Sequence, residues 1–86
     1  MSRFRVVITR RAERDVAALD TVTRARIKKA LLDLQADPTR RSKKLTDSDL
    51  GQFRLRVGDW RIVFDLEGKD VVILRIGHRR EIYRGR

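Results

Sequence analysis

The stretch from Phe53 to Leu66, FRLRVGDWRIVFDL, restricts the fold more than any other part of the chain. Side chains of a strand alternate between its two faces. Phe53, Leu55 and Val57 fall on one face of a first strand, and Arg54 and Arg56 fall on the other. Trp60, Ile62, Phe64 and Leu66 share one face of a second strand, with Arg61, Val63 and Asp65 opposite. A two-residue turn at Gly58-Asp59 suits a hairpin. It pairs Val57 with Trp60 and Arg56 with Arg61, so the apolar faces coincide and the arginines coincide.

A third strand is expected over Val71–Ile76, antiparallel because its connection is short. Taking Glu67-Gly68-Lys69 as a three-residue loop with a Gly-assisted bulge pairs Phe64 with Val72 and Arg61 with Arg75. Val72, Leu74 and Ile76 then join the core wall. A two-residue Gly68-Lys69 loop would instead slip the register and turn Arg75 inward. Upstream, the β-branched run Phe4–Ile8 reads as a strand. Thr9 is placed to cap a helix over Arg10–Leu19, in which Ala12, Val16 and Leu19 recur at helical spacing. Asp20 or Thr21 caps a second helix. Ile27, Leu31 and Leu34 mark its buried face, supported by Val22 and Ala30. Pro38 stops it near Ala36 or Asp37. Residues 39–49, TRRSKKLTDSD, read as a loop. The expected architecture is α+β, with residues 1–86 forming one domain. It has an N-terminal strand, a two-helix antiparallel hairpin and a three-stranded antiparallel meander, with both helices on one sheet face.

Charge narrows the function. Lysine and arginine number 22 against 12 acids, a net charge of +10 on 86 residues. A folded domain this basic attracts polyanions through counterion release, which points to nucleic acid or an acidic protein as partner. The chain has no cysteine, which excludes disulfides, thiolate catalysis and cysteine-based zinc sites. No apolar run approaches the roughly 20 residues of a membrane span, and the N-terminus lacks the pattern of a signal peptide, so a cytoplasmic location is expected.

The hairpin register gathers Arg54, Arg56, Arg61 and Arg75 on the sheet face away from the helices, near Lys43 and Lys44. Guanidinium forks match phosphate oxygens well, so this face is the expected phosphate-binding surface. Arg61, pointing away from the core, is expected to be dispensable for folding. No carboxylate cluster falls on the face, which argues for metal-independent chemistry. Metal-free RNA cleavage needs the ribose 2′-hydroxyl as nucleophile, a proton acceptor, a proton donor and positive charge on the transition state. His78, at the end of the third strand beside Arg79 and Arg80, is the proton carrier suited to neutral pH. Tyr83 reads either as a base-stacking surface or proton donor, or as an aromatic anchor for the tail.

From Phe53 to Tyr83 the chain reads FRLRVGDWRIVFDLEGKDVVILRIGHRREIY. This stretch resembles the RelE/ParE toxin superfamily, as do the KKL at Lys43–Leu45, the paired helices and the opening strand. The resemblance implies a small toxin of a toxin–antitoxin pair. In the RelE branch it implies a metal-independent endoribonuclease that enters the ribosome and cuts mRNA by 2′-hydroxyl attack. Carried over by position, Arg54 and Arg56 take the basic strand positions that include the family's proposed base. Arg61 takes the phosphate-binding position, and Arg79 that of leaving-group protonation or transition-state charge. Tyr83 takes the position of the aromatic that orients the substrate base. Lys43, Lys44, Arg75 and Arg80 would add RNA contacts. Arginines stand at 54 and 56 where the ribonuclease branch carries lysines, and some branches carry a histidine near His78, so the general base stays open among these residues. The resemblance further implies an acidic antitoxin as partner, with the ribosome and mRNA as targets. The ParE branch of the same superfamily inhibits DNA gyrase, and a non-catalytic RNA-binding module is the remaining alternative.

Overall fold

The computed structural model describes residues 4–45 and 50–82. In chain order the elements are β1 (Arg5–Ile8), α1 (Arg10–Ala17), α2 (Thr21–Ala36), β2 (Lys43–Lys44), β3 (Phe53–Val57), β4 (Trp60–Glu67) and β5 (Asp70–His78). The strands form one five-stranded sheet in the order β1-β5-β4-β3-β2. β1 lies parallel to β5, from Arg5 beside Asp70 to Ile8 beside Ile73. The other neighbours are antiparallel, so the sheet is mixed. Lys43–Lys44, expected in a loop, forms a short edge strand against Arg54 and Phe53.

Each helix begins where a side chain can accept from a free N–H of the first turn. The Thr9 hydroxyl accepts from the Ala12 N–H at 3.3 Å. The Asp20 carboxylate accepts from the Thr23 N–H at 3.3 Å, and bonds from the Thr23 hydroxyl and backbone hold that carboxyl below its ordinary range. α1 closes at Ala17, earlier than the spacing of Leu19 suggests. Arg24 of α2 donates to Ala17 O at 3.4 Å, at the end of α1, and to Leu19 O at 2.8 Å, just past it. A cation at a helix C-terminus is favourable, and this one also ties the two helices together.

Ala12, Leu19, Ile27, Ala30, Leu31 and Leu34 of the helical layer pack on Leu55, Ile62, Phe64, Val71, Ile73 and Ile76 of the sheet. Phe53 stacks on Phe64 with centroids 5.4 Å apart. Val22 does not support this core as its spacing suggested; it is 69% exposed on the outer side of α2.

The β3–β4 register is the one the alternation dictates, with Val57 beside Trp60 and Arg56 beside Arg61. The β4–β5 register differs from expectation. Its turn has two residues, Gly68-Lys69, between paired Glu67 and Asp70, and Gly68 takes φ +63° as a tight primed turn requires. Phe64 therefore faces Ile73, not Val72, and Arg61 faces Gly77, not Arg75. The irregularity falls in mid-strand, between Val63 and Phe64, where Leu74 is the extra residue on β5. Moving the bulge there reverses the parity of β5 half-way along it. Val71, Ile73 and Ile76 line the core, and Arg75 stays out of it.

β1 stops at Ile8, which leaves the outer edge of β5 uncovered beyond Ile73. The start of α1 takes over that edge. Thr9 Oγ1 donates to Ile73 O at 2.7 Å, and Asp15 Oδ2 accepts from the Ile76 N–H at 2.9 Å. The same carboxylate oxygen lies 3.5 Å from Arg75 Nε, an ion pair without hydrogen-bond geometry. Asp15→Ala leaves a sheet N–H and a mostly buried guanidinium without their acceptor. We expect it to cost about 2–3 kcal/mol, a fall of roughly 10 °C or more in the thermal unfolding midpoint. An unchanged midpoint would show that Asp15 does not hold the β5 edge.

Candidate phosphate-binding face

The strand parity brings Arg54, Arg56 and Arg61 to the sheet face opposite the helices, and Lys43 joins them as the cross-strand neighbour of Arg54. Lys44, paired with Phe53, falls on the other side by the same rule. Arg56 is exposed and Arg54 half-buried. Arg61 is only 7% exposed. It points away from the helical core, but it is not a free side chain. Its Nη1 donates to Gly58 O and to Trp60 O, both at 2.9 Å, and so closes the β3–β4 turn from beneath.

This face is not wholly open. Gly77 lies across from Arg61, and Ile82, with no exposed surface, sits over it: a Cβ on Gly77 would meet the Ile82 Cβ at 3.4 Å. Gly51 packs as closely against Val63, Leu74 and Asp65, where an added Cβ would meet Leu74 and Val63 atoms at 2.8 Å. Val63 accordingly has no exposed surface, although it lies outside the main core. The chain before β3 and the turn after β5 thus cover the middle of the face. Its cationic part is left at the β2–β3 side and at the Gly58-Asp59 end.

Two expected site residues lie elsewhere. Arg75, expected beside Arg61 among the RNA contacts, is held by Asp15 at the β5 edge, with its side chain 17% exposed. His78 pairs with Trp60, on the helix side of the sheet end, not beside the arginines as expected. Its ring meets the Trp60 ring edge-on at 5.5 Å, and its Nδ1 accepts the Arg80 N–H at 3.2 Å. The proton of the neutral ring then sits on Nε2. Arg80 itself is exposed. Tyr83 lies outside the described residues. Among the described residues, no group of three His, Cys, Asp or Glu comes together.

Arg79 turns back to the β3–β4 turn. Its N–H donates to Asp59 O at 2.8 Å, and its Nε lies 3.6 Å from Asp59 Oδ1. Arg26 of α2 meets the same turn: a Cβ on Gly58, which has φ +60°, would lie 2.9 Å from Arg26 Nη2. Three arginines from three parts of the chain therefore converge on Gly58-Asp59. Sequence reasoning found Arg61 and Arg79 but missed Arg26, whose position in a run of helix-surface cations gave no sign of this contact. It also missed a cleft of about 550 Å³ between α2 and β3. Ala30, Leu34, Leu55 and Val57 line it with Arg26, Lys29, Arg40, Arg41 and Arg56, and with two acids, Asp33 and Asp37.

The chain is thus a helical hairpin on a mixed five-stranded sheet, with arginines converging on the turn at one end. Residues 6–83 match the family model of the ParE toxin of type II toxin–antitoxin systems. The chain is 37% identical over 84 residues to Toxin RelG of Mycobacterium tuberculosis, an alignment that covers 94% of this chain and 97% of that protein. Its fold matches a chain in the crystal structure of the toxin–antitoxin complex RelBE2 of M. tuberculosis with a TM-score of 0.83 and 31% identity, covering 91% of this chain and 100% of the other. The archaeal RelE–RelB complex of Pyrococcus horikoshii OT3 shares the fold, at a TM-score of 0.72 and 23% identity, covering 91% of this chain and 97% of the matched chain. The chain belongs to the RelE/ParE family of toxins of type II toxin–antitoxin systems.

Arg61→Ala removes two bonds from a buried guanidinium to the carbonyls of the turn. Contrary to the expectation from its facing, we expect the variant to lose about 2 kcal/mol of stability, read as a lower midpoint in urea or thermal unfolding. A variant as stable as the parent would return Arg61 to a purely ligand-facing role.

Proposed function

We propose that this toxin is a metal-independent endoribonuclease that cleaves mRNA on the ribosome. The observation that carries this reading is the placing of Arg54, Arg56 and Lys43 side by side on one sheet face, with Arg79 at its end. In the proposed reaction the ribose 2′-oxygen bonds to the adjacent phosphorus and the bond from phosphorus to the 5′-oxygen breaks. A 2′,3′-cyclic phosphate and a 5′-hydroxyl result. The 2′-hydroxyl gives up a proton, and the departing 5′-oxygen takes one. Arg54 and Arg56 would hold the scissile phosphate and offset the charge that builds on it. Arg79 would serve the leaving-group side, and Tyr83 the base of the substrate. Fixed cations aimed at developing charge are among the larger contributions an enzyme makes. His78 has no part in this scheme, since its ring is engaged with Trp60 on the other side of the sheet end.

A second reading is gyrase inhibition, without chemistry. It is favoured by the proton acceptors of the face. Among the described residues none of them is a histidine, and the carboxylate of Asp65 already accepts the Gln52 N–H at 2.8 Å.

The partner that would neutralise the toxin is an acidic antitoxin. A net charge of +10 and the basic rim of the α2–β3 cleft would draw it in. Apolar anchors are available in the cleft wall and at exposed Val22 and Leu32 on α2, 69% and 65% exposed, so salt would weaken the complex only in part. The site of action would be the cytoplasm, where ribosomes and mRNA are.

Expression of the toxin alone is expected to arrest growth, and co-expression of its acidic partner to restore it. Primer extension on mRNA from arrested cells should then show discrete cuts within translated regions, abolished by the double variant R54A/R56A. DNA-damage signalling without cuts would instead establish the gyrase reading.

A further inference from the structure

The Gly58-Asp59 turn does more than connect two strands. It supplies the carboxylate of Asp59 to the end of a largely cationic face, 3.6 Å from Arg79 Nε. The two side chains are 68% and 49% exposed, so the pair is formed in solvent and is weak. The backbone is fixed independently of it. The Arg79 N–H donates to Asp59 O at 2.8 Å, and Arg61 holds the carbonyls on either side of Asp59. Arg79 is thus placed by main-chain bonds, while its guanidinium is left a carboxylate that can be exchanged for another anion.

We propose that Asp59 is a positioning residue that occupies the anion seat of Arg79 in the free toxin and yields it to a phosphate of RNA. The inference rests on the reading of this face as an RNA-binding surface. In the free protein the Asp59 carboxylate keeps the Arg79 guanidinium turned toward the end of the sheet. Single-stranded RNA arriving on Arg54 and Arg56 brings a phosphate that displaces it, since the two non-bridging oxygens of a phosphodiester match the guanidinium fork as a carboxylate does, and its neighbours on β3 raise its local concentration. Asp59 therefore lowers the affinity for an isolated phosphate and favours ligands that also engage β3. It acts on selectivity, without touching the reacting atoms.

The test is a double-variant cycle with a single-stranded RNA oligonucleotide methylated at every 2′-oxygen, which cannot be cleaved by 2′-hydroxyl attack. Asp59→Asn keeps the size of the side chain and the main-chain bond to Arg79, and removes the charge. It should tighten binding by about threefold, the scale of an exposed ion pair. Glu67→Gln makes the same change in net charge at the opposite end of β4, beside the other turn, and should tighten binding by less. In an Arg79→Ala background the gain from Asp59→Asn should vanish. Thermal midpoints of all variants should stay close to that of the parent. A gain from Asp59→Asn no greater than that from Glu67→Gln, or one that persists without Arg79, overturns the assignment. If R54A/R56A leaves RNA binding unchanged, the reading of the face itself fails and the seat with it. If R54A/R56A weakens binding while Asp59→Asn has no effect, only the seat fails.

Discussion

The sheet depends on a single extra residue. The tight Gly68-Lys69 turn fixes the lower half of the β4–β5 pair, with Phe64 against Ile73. Strict alternation from there would send Arg75 toward the helices, where an unpaired guanidinium is costly. Leu74, inserted opposite the Val63–Phe64 junction, reverses the parity so that Ile76 enters the core and Arg75 leaves it. The helical layer depends on the same register. Asp15 of α1 reaches the N–H of Ile76, just past the bulge, and Thr9 reaches the carbonyl of Ile73, just before it. The bulge is thus where the first helix is anchored to the sheet.

The second constraint is electrostatic. A chain of net charge +10 must place its arginines where something answers them. In the free protein much of that answer is main chain. Arg61 is met by carbonyls of Gly58 and Trp60, Arg24 by carbonyls of Val16, Ala17 and Leu19 at and just past the end of α1, and Arg79 by the Asp59 carboxylate. Arginines used this way are structural and still basic. The same residues set the field that draws an acidic partner or a phosphate chain toward the β3 side of the molecule. Fold and function are not separable at Arg61, whose loss would be felt as instability before it could be read as lost binding.

Much of this was legible in the sequence, and the reason is alternation. The residues Phe53–Val57 and Trp60–Leu66 allow one register that buries the apolar side chains, and β3 and β4 take it. The caps at Thr9 and Asp20 were legible because a hydroxyl or carboxylate just before an apolar-periodic run has few other roles. The β4–β5 register was not. A bulge in mid-strand leaves no local mark when the residues around it, Ile73-Leu74-Arg75-Ile76, are compatible with either parity. The side taken by His78 was not legible from its neighbours in sequence. Its place at the end of the strand, next to Arg79 and Arg80, suggests the arginine side, whereas pairing with Trp60 puts it across the sheet. The parallel pairing of β1 with β5 and the coverage of the arginine face by Gly51 and Ile82 are long-range contacts, and neither local propensity nor spacing reports them.

The most direct check of this account is the β4–β5 pairing itself, read from cross-strand nuclear Overhauser contacts in labelled protein. The account predicts contacts that join Phe64 to Ile73 and Ile62 to Ile76, with Leu74 as the extra residue between them. Continuous pairing of Phe64 with Val72 and of Arg61 with Arg75 would contradict it, and would set Arg75 directly beside Arg61.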